Sequence, residues 1–311
     1  MKKIVLLMPY YGRWPEWFNL FIETCKWNPT INWIFFTDLE QPRNRCGNVQ
    51  YVRMSLSELL ELASSRLGFT IDFTNPYKLC DLRPGFGVIF DAYIAGADYF
   101  GWGDIDVVYG DIRKFVTDEV LRYDVISFHG GILSNSFCLF RNIDAVKEKY
   151  KIKDLWKQWV NVPTPQGLDE MLLFAFDMRS NYFVESYCAP NAPTLATFTG
   201  PFGDSVNYAP GWKDGSLEFP KEWRWKEGRL TNDKTGSEEF QYLHFAAWKG
   251  ITMGFIPGSG QWKKLSKLVH FDDRHLSGGW KINEGGFWPF DDALESRLRV
   301  TDSMPVVSEH C

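Results

Sequence analysis

The stretch Tyr99-Phe-Gly-Trp-Gly-Asp-Ile-Asp-Val-Val-Tyr-Gly110 constrains this chain more than any other. Its first half carries no charge and reads as a buried β-strand, and two acids, Asp104 and Asp106, follow at the strand's end. Side chains alternate along a strand, so residues two apart point the same way. If the strand frays after Asp104, the two carboxylates converge just outside its end. Oxygen ligands of this kind suit a hard divalent cation, Mg²⁺ or Mn²⁺, that bridges a diphosphate. Burying such acids is costly unless they are paired or metal-bound. A strand-to-turn junction with two solvated aspartates explains the spacing equally well, so the rest of the chain has to decide.

The chain is 311 residues long, enough for one large α/β domain or two small ones. Its net charge of −5 argues against non-specific nucleic-acid binding, which needs a basic face. The best basic cluster, Lys263, Lys264 and Lys267, reads as a solvated helix face. Cys25, Cys46, Cys80, Cys138, Cys188 and Cys311 are widely spread and form no Cys-X-X-Cys pair. A structural zinc site or redox motif is therefore not expected, and free thiols in a reducing, cytoplasmic compartment fit better. Ile4 to Met8 is too short for the apolar core of a signal peptide and reads as a first strand. No apolar run reaches the roughly 20 residues of a transmembrane helix. Aromatic residues make up 17% of the chain. Those in polar, Gly/Pro-rich surroundings, such as Trp212, Trp223 and Trp225, either stack on sugar rings or bases or form a satellite hydrophobic cluster.

The hydrophobic pattern predicts a strand over Lys3–Met8, a helix over Trp14–Cys25 with Pro15 in its first turn, and strands over Asn32–Asp38 and Val49–Met54. Ser55 and Glu58 form a capping-box pattern that opens a helix ending at Gly68. This βαββα order is the start of a Rossmann-like half. A broken helix is expected over Pro76–Ala97, then the Tyr99 strand, strands over Asp124–Phe128 and Leu133–Arg141, and a helix over Ile143–Val160. A helix over Asp169–Met178, short strands near Leu217–Phe219 and Trp223–Leu230, and a core strand over Phe240–Phe245 complete the pattern. The expected fold class is α/β, with residues 1–255 as one domain and 256–311 as an extension that packs on it.

Several pieces fall at carboxyl ends of strands, where open α/β sheets bind ligands. They are Pro9-Tyr10-Tyr11-Gly12, Thr37-Asp38, Asp104-Ile105-Asp106 and His244-Phe-Ala-Ala-Trp-Lys249. On these residues the chain resembles a GT-A-type, nucleotide-sugar-dependent glycosyltransferase over roughly Lys2 to Gly250. The late block is similar to the His-X-X-Gly-X-Lys element of glycogenin-like and galactosyltransferase-like enzymes, with Ala246-Ala247-Trp248 here in place of the family's glycine. The resemblance implies a Rossmann-like mixed sheet flanked by helices. It implies Asp104, Asp106 and His244 as ligands of Mn²⁺ (or Mg²⁺), with Asp104 also reaching the donor ribose, and Lys249 on the diphosphate. Imidazole itself suits manganese better than magnesium or calcium. The segment Tyr77–Gly87 looks like the family's helix before the Asp-X-Asp, which implies Lys78, Asp81 and Arg83 as donor contacts. Gly167-Leu-Asp-Glu170 resembles the family's later acidic helix start, with Asp169, then Glu170, facing the acceptor or the reacting carbon. A helix N-terminus carrying acids that favour its dipole explains the same pair.

Asp38 is a candidate partner of base or ribose, or equally an Asx-turn. Tyr10 and Tyr11 are candidates for base stacking, with one of them alternatively in the core, and Gly12 lets backbone approach closely. His129-Gly130-Gly131 and Asn135-Ser136 are candidate sugar-hydroxyl partners, or simply a turn. The expected activity is transfer of a sugar from a nucleotide-diphosphate sugar to a glycan or lipid-linked saccharide, with a role in surface polysaccharide synthesis implied by the resemblance. The resemblance also implies uridine as the base. A sugar nucleotidyltransferase would carry a Gly-rich basic loop after the first strand, where only Gly12-Arg13 stands. A non-catalytic carbohydrate-binding protein would use the aromatics and need no convergence of Asp104, Asp106, His244 and Lys249.

Overall fold

A computed structural model describes residues 1–128, 133–152, 154–169, 186–188, 220–245, 267–283, 285–291, 293 and 297. In chain order the described elements are β1 (Ile4–Pro9), α1 (Phe18–Lys26), β2 (Ile31–Thr37), β3 (Val49–Arg53) and α2 (Leu56–Leu67). Then come α3 (Phe86–Ile89), β4 (Tyr99–Gly103), β5 (Val107–Tyr109), β6 (Val125–Ser127), β7 (Phe137–Arg141), α4 (Asp144–Lys147), α5 (Asp154–Val160) and β8 (Ser186–Cys188). The last are β9 (Glu222–Lys226), β10 (Arg229–Asn232), β11 (Tyr242–His244), β12 (Trp280–Asn283) and β13 (Gly286–Pro289). The chain divides into two compact units. One holds Met1–Pro15, Asn28–Val107 and Ile112–Ala192; the other holds Glu16–Trp27, Val108–Asp111 and Pro193–Cys311.

The first unit is a mixed sheet flanked by helices, with strand order β3-β2-β1-β4-β7-β6-β8. β1 runs parallel to β2 and β4, and β2 parallel to β3. β7 is antiparallel to β4 and β6. β1 is apolar from Ile4 to Met8 and buried throughout, as a strand covered on both faces must be. Gly101 lets β4 and β7 approach: a Cβ there would sit 2.0 Å from the carbonyl oxygen of Cys138. α2 begins in the expected capping box, in which Ser55 N–H donates to Glu58 Oε2 at 2.7 Å and Glu58 N–H donates to Ser55 Oγ at 3.3 Å. It ends at Gly68 in the left-handed conformation (φ 78°). Leu59, Ala63, Leu82, Phe86, Phe90 and Trp156 join Phe36, Phe100 and Trp102 in one core. Each such side chain contributes about 1.5–3 kcal/mol by leaving water.

Some elements differ from expectation. The first helix starts at Phe18 rather than Trp14, because Trp14 stacks on Tyr10 (5.3 Å) and donates its Nε1–H to the carbonyl of Glu40 at 2.8 Å. β7 starts at Phe137 rather than Leu133, since Ser134 Oγ accepts from Ser136 N and Phe137 N and turns the chain there. Pro76–Gly85 is a 3₁₀ helix that leads into α3, and the expected long helix over 143–160 is divided into α4, a 3₁₀ segment (Glu148–Ile152) and α5. The expected helix over Asp169–Met178 is helical at 168–169 and lies otherwise outside the described residues, as do Leu217–Phe219, Trp212 and Lys263-Lys264. Cys25, Cys46, Cys80 and Cys138 form no disulfide among the described residues.

The second unit contains α1 and a four-stranded antiparallel sheet, β10-β9-β12-β13. The segment expected as one strand over Trp223–Leu230 is a hairpin. Its two-residue turn, Glu227-Gly228, has positive φ at both positions (51° and 75°), the backbone twist that tight hairpins require. Trp223, Trp225, Trp280 and Phe287 are buried with Leu230 and Leu243, so these tryptophans are core rather than stacking platforms. No helix among the described residues is long and apolar enough to cross a membrane.

Candidate functional site

β4 ends at Gly103, and the chain leaves the sheet through Asp104-Ile105-Asp106 before β5 begins at Val107. Asp104 N–H donates to the Ser136 carbonyl at 3.4 Å, anchoring this exit to the chain entering β7. The Asp104 side chain is partly buried and Asp106 is 4% exposed. From the 3₁₀ segment before α3, Arg83 reaches both Asp104, through Nη2, and Asp169, through Nη1 at 2.7 Å. Nη1 also donates to the Asn135 carbonyl at 3.2 Å. One guanidinium thus ties together the strand end, the turn before β7 and the start of the acidic helix.

Lys78 and Asp81 do not join this site. Both are fully buried, and Lys78 Nζ donates to Asp81 Oδ2 at 2.6 Å and to the Trp159 carbonyl at 3.1 Å. Asp81 also accepts from Gln166 N (2.9 Å) and Leu168 N (2.9 Å). The expected donor contacts are instead a buried pair that fixes the turn through Gly167 (φ 66°) and so sets where Asp169 points. Their burial is the physical reason: neither presents a group to a ligand.

At the end of β1, Pro9 and Tyr10 are half-buried and Tyr11 is buried, its hydroxyl donating to the Ser55 carbonyl at 3.3 Å. Tyr11 is the core tyrosine of the pair. Tyr10 keeps its hydroxyl on the Arg13 carbonyl at 2.8 Å. Burial, and after it the charge of Asp106, raises the pKa of Tyr10. Gly12 adopts φ +107° with open space around its Cβ position, so the backbone conformation requires glycine there. Thr37 is buried and its Oγ1 accepts from Leu39 N at 3.2 Å, whereas Asp38 is exposed. Thr37 lines a cavity of about 370 Å³ with Glu40, Arg45, Tyr51 and Arg53. Sequence reasoning missed Arg45 and Arg53. Arg53 ends β3 as Thr37 ends β2, so its position relative to the sheet was the available signal.

His244, 2% exposed, ends β11, which pairs with β5. Gly110 N–H, just past β5, donates to the carbonyl of Gln241, just before β11, at 2.8 Å. The two strands therefore run antiparallel. His244 belongs to the second unit, whereas Asp104 and Asp106 belong to the first. Glu170, Lys249 and His129-Gly130-Gly131 lie outside the described residues.

The profile of one protein family matches residues 6–253. The chain belongs to that family, DUF6625, a family of unknown function. The match takes in β1 from Leu6 onward, Arg83, both carboxylates of the strand exit, Asp169 and His244. No curated protein matches the chain.

In this DUF6625 chain the electrostatics of the site follow from its composition. Burial raises the pKa of Asp169 to about 6; Arg83 pulls it down and Asp104 pushes it up. Burial opposes the charge of Arg83, but Asp104 and Asp169 outweigh it and the pKa is raised. The Cys80 thiol is pushed up by burial and then by Asp169. Asp104, Asp106 and Asp169 against Arg83 sum to a formal −2, which a single divalent cation cancels. The oxygen ligands that Asp104 and Asp106 offer suit a hard divalent cation.

Proposed function

We propose that the chain is a GT-A-type, metal-dependent glycosyltransferase that moves a sugar from a nucleotide-diphosphate sugar, with uridine as its base, to a glycan or lipid-linked saccharide in the cytoplasm. The pair of carboxylates, Asp104 and the buried Asp106, that leaves the carboxyl end of the central strand β4 carries this reading. The mixed Rossmann-like sheet and the cavity at the ends of β2 and β3 support it, since open α/β sheets take ligands there.

In this reading Asp104 and Asp106, with His244 as the resemblance implies, would hold a divalent cation, and that cation would supply charge stabilisation for the departing diphosphate. Arg83 holds Asp104 and Asp169 at fixed separation and keeps both charged groups oriented in a poorly solvated site. Asp169 takes the proton of the acceptor hydroxyl if configuration inverts, or orients the acceptor if it is retained. A carboxylate lifted to about 6 is a better base near neutrality than an ordinary aspartate.

The test is release of UDP from a panel of UDP-sugars with Mn²⁺, for the native chain and Asp106→Asn. Slow, metal-dependent hydrolysis of one or a few sugars, abolished in the variant, is expected. Release that is insensitive to EDTA and to the variant would overturn the assignment.

A further inference from the structure

The 3₁₀ helix Pro76–Gly85 places residues three apart on one face, because such a helix has three residues per turn. Lys78, Asp81 and Pro84 are buried, and so are Leu79, Leu82 and Gly85. The row that opens to solvent is Tyr77, Cys80 and Arg83. Arg83, at its far end, holds Asp104 and Asp169. Tyr77 begins the row and is 58% exposed, more than any other aromatic residue among those described. Its backbone N–H donates to the Asn75 side chain at 3.1 Å, which fixes the turn. Among the described residues its ring packs on no other ring and its hydroxyl has no hydrogen-bond partner.

The core does not account for this ring, but its neighbours do. Asp104, Asp106 and Asp169 all act on its hydroxyl, and burial of that end, then Asp104, raises its pKa to about 12. All of these groups belong to the first unit. A flat apolar face beside carboxylates and a guanidinium suits a ligand with an apolar face and a rim of hydroxyls, which donate to the acids and accept from the arginine. A pyranose has that form. The acids outnumber Arg83, so a uronate or a phosphate ester is repelled at close range. Once a divalent cation balances them, a cationic ligand gains no attraction either, which leaves a neutral sugar. Asp169, assigned above to the acceptor hydroxyl, is tied through Arg83 to the same row, so the ring serves the acceptor rather than the donor.

We infer that Tyr77 is a specificity-determining residue for the acceptor: a neutral pyranose lays its C–H face on the Tyr77 ring and directs a hydroxyl at Asp169. The inference rests on the transferase reading and names the class of sugar it accepts.

The test is saturation-transfer NMR of the full chain with the methyl glycosides of glucose, galactose, mannose and N-acetylglucosamine, and with methyl glucuronide as the charged control. The variants are Tyr77→Phe, which keeps the ring, and Tyr77→Ala, which removes it, with folding checked by circular dichroism. At least one neutral glycoside should receive saturation at its C–H protons, and the glucuronide should not. Tyr77→Phe should keep the signal, and Tyr77→Ala should weaken binding about tenfold, or about 1.4 kcal/mol. No signal from any neutral glycoside overturns the inference. So does a signal that survives Tyr77→Ala, that is lost in Tyr77→Phe, or that the glucuronide matches. Displacement of the glycoside by uridine would assign the ring to the donor's base and overturn it too. UDP binding with Mn²⁺ is measured alongside on the native chain. Its absence beside ring-dependent glycoside binding would overturn the transferase reading, whereas UDP binding with failure of the glycosides would overturn this inference alone.

Discussion

Arg83 Nη1 lies 2.7 Å from Oδ2 of Asp169, a carboxylate only 3% exposed, while the same guanidinium holds Asp104. Removing the arginine strands two carboxylates in a poorly solvated place. Arg83→Ala should therefore cost about 3–5 kcal/mol, the range for breaking a buried ion pair. Arg83→Lys should recover only part of it, because an ammonium cannot fork to two acids as a guanidinium does. Urea unfolding of the two variants measures this. A loss under about 1 kcal/mol for Arg83→Ala would mean the pairing is incidental.

Asp169 gives the metal-free chain a pH dependence of unusual sign. Its folded pKa, about 6, lies above the ordinary aspartate value of 3.8, so between those values the folded state holds more of its proton than the unfolded state. Its contribution is fully present below 3.8 and is lost as pH rises through 6, a change of about 3 kcal/mol at most. Unfolding of the native chain and of Asp169→Asn across pH 4–7 isolates it. The stability of the native chain relative to Asp169→Asn should fall as pH rises through that window, and a flat or rising difference would contradict the raised pKa.

The Lys78–Asp81 pair predicts an asymmetry. Lys78→Met removes one partner and leaves a buried charge, costing about 3–5 kcal/mol. Replacing both, as Lys78→Met/Asp81→Leu, should not restore stability as it does for a simple buried pair. Gln166 N–H and Leu168 N–H would lose their acceptor, at about 1–3 kcal/mol each. Denaturant midpoints of the single and double variants decide this. Recovery to native stability in the double variant would show that Asp81 does not anchor the turn.

Much of the first unit was legible because its strands are short apolar runs bounded by turn residues. Ile4–Met8 and Tyr99–Gly103 announce buried strands, and the Ser55/Glu58 box and Gly68 mark both ends of a helix by their local chemistry. Asp104, Asp106 and His244 were legible as strand-end residues. Lys78 and Asp81 were misassigned because residue type and spacing do not reveal burial, and a lysine three residues from an aspartate serves an internal pair as readily as a ligand. The helix start at Phe18 was hidden because the stacking of Trp14 on Tyr10 is a tertiary contact. The β12–β13 hairpin escaped notice although Trp280 and Ile282 alternate with Lys281 and Asn283, a period-2 signal in a segment read only as an extension packing on the domain. Glu227-Gly228 was likewise a turn signal inside what was taken for one strand.

The central claim is that the acids at the end of β4, with His244, hold a cation that binds a nucleoside diphosphate. Calorimetric titration of UDP tests it most directly, with Mn²⁺ and then with EDTA, on the native chain and Asp106→Ala. Binding that needs both the metal and Asp106 is the predicted result. UDP binding of equal strength in EDTA, or in Asp106→Ala, or no binding under any condition, would contradict the account.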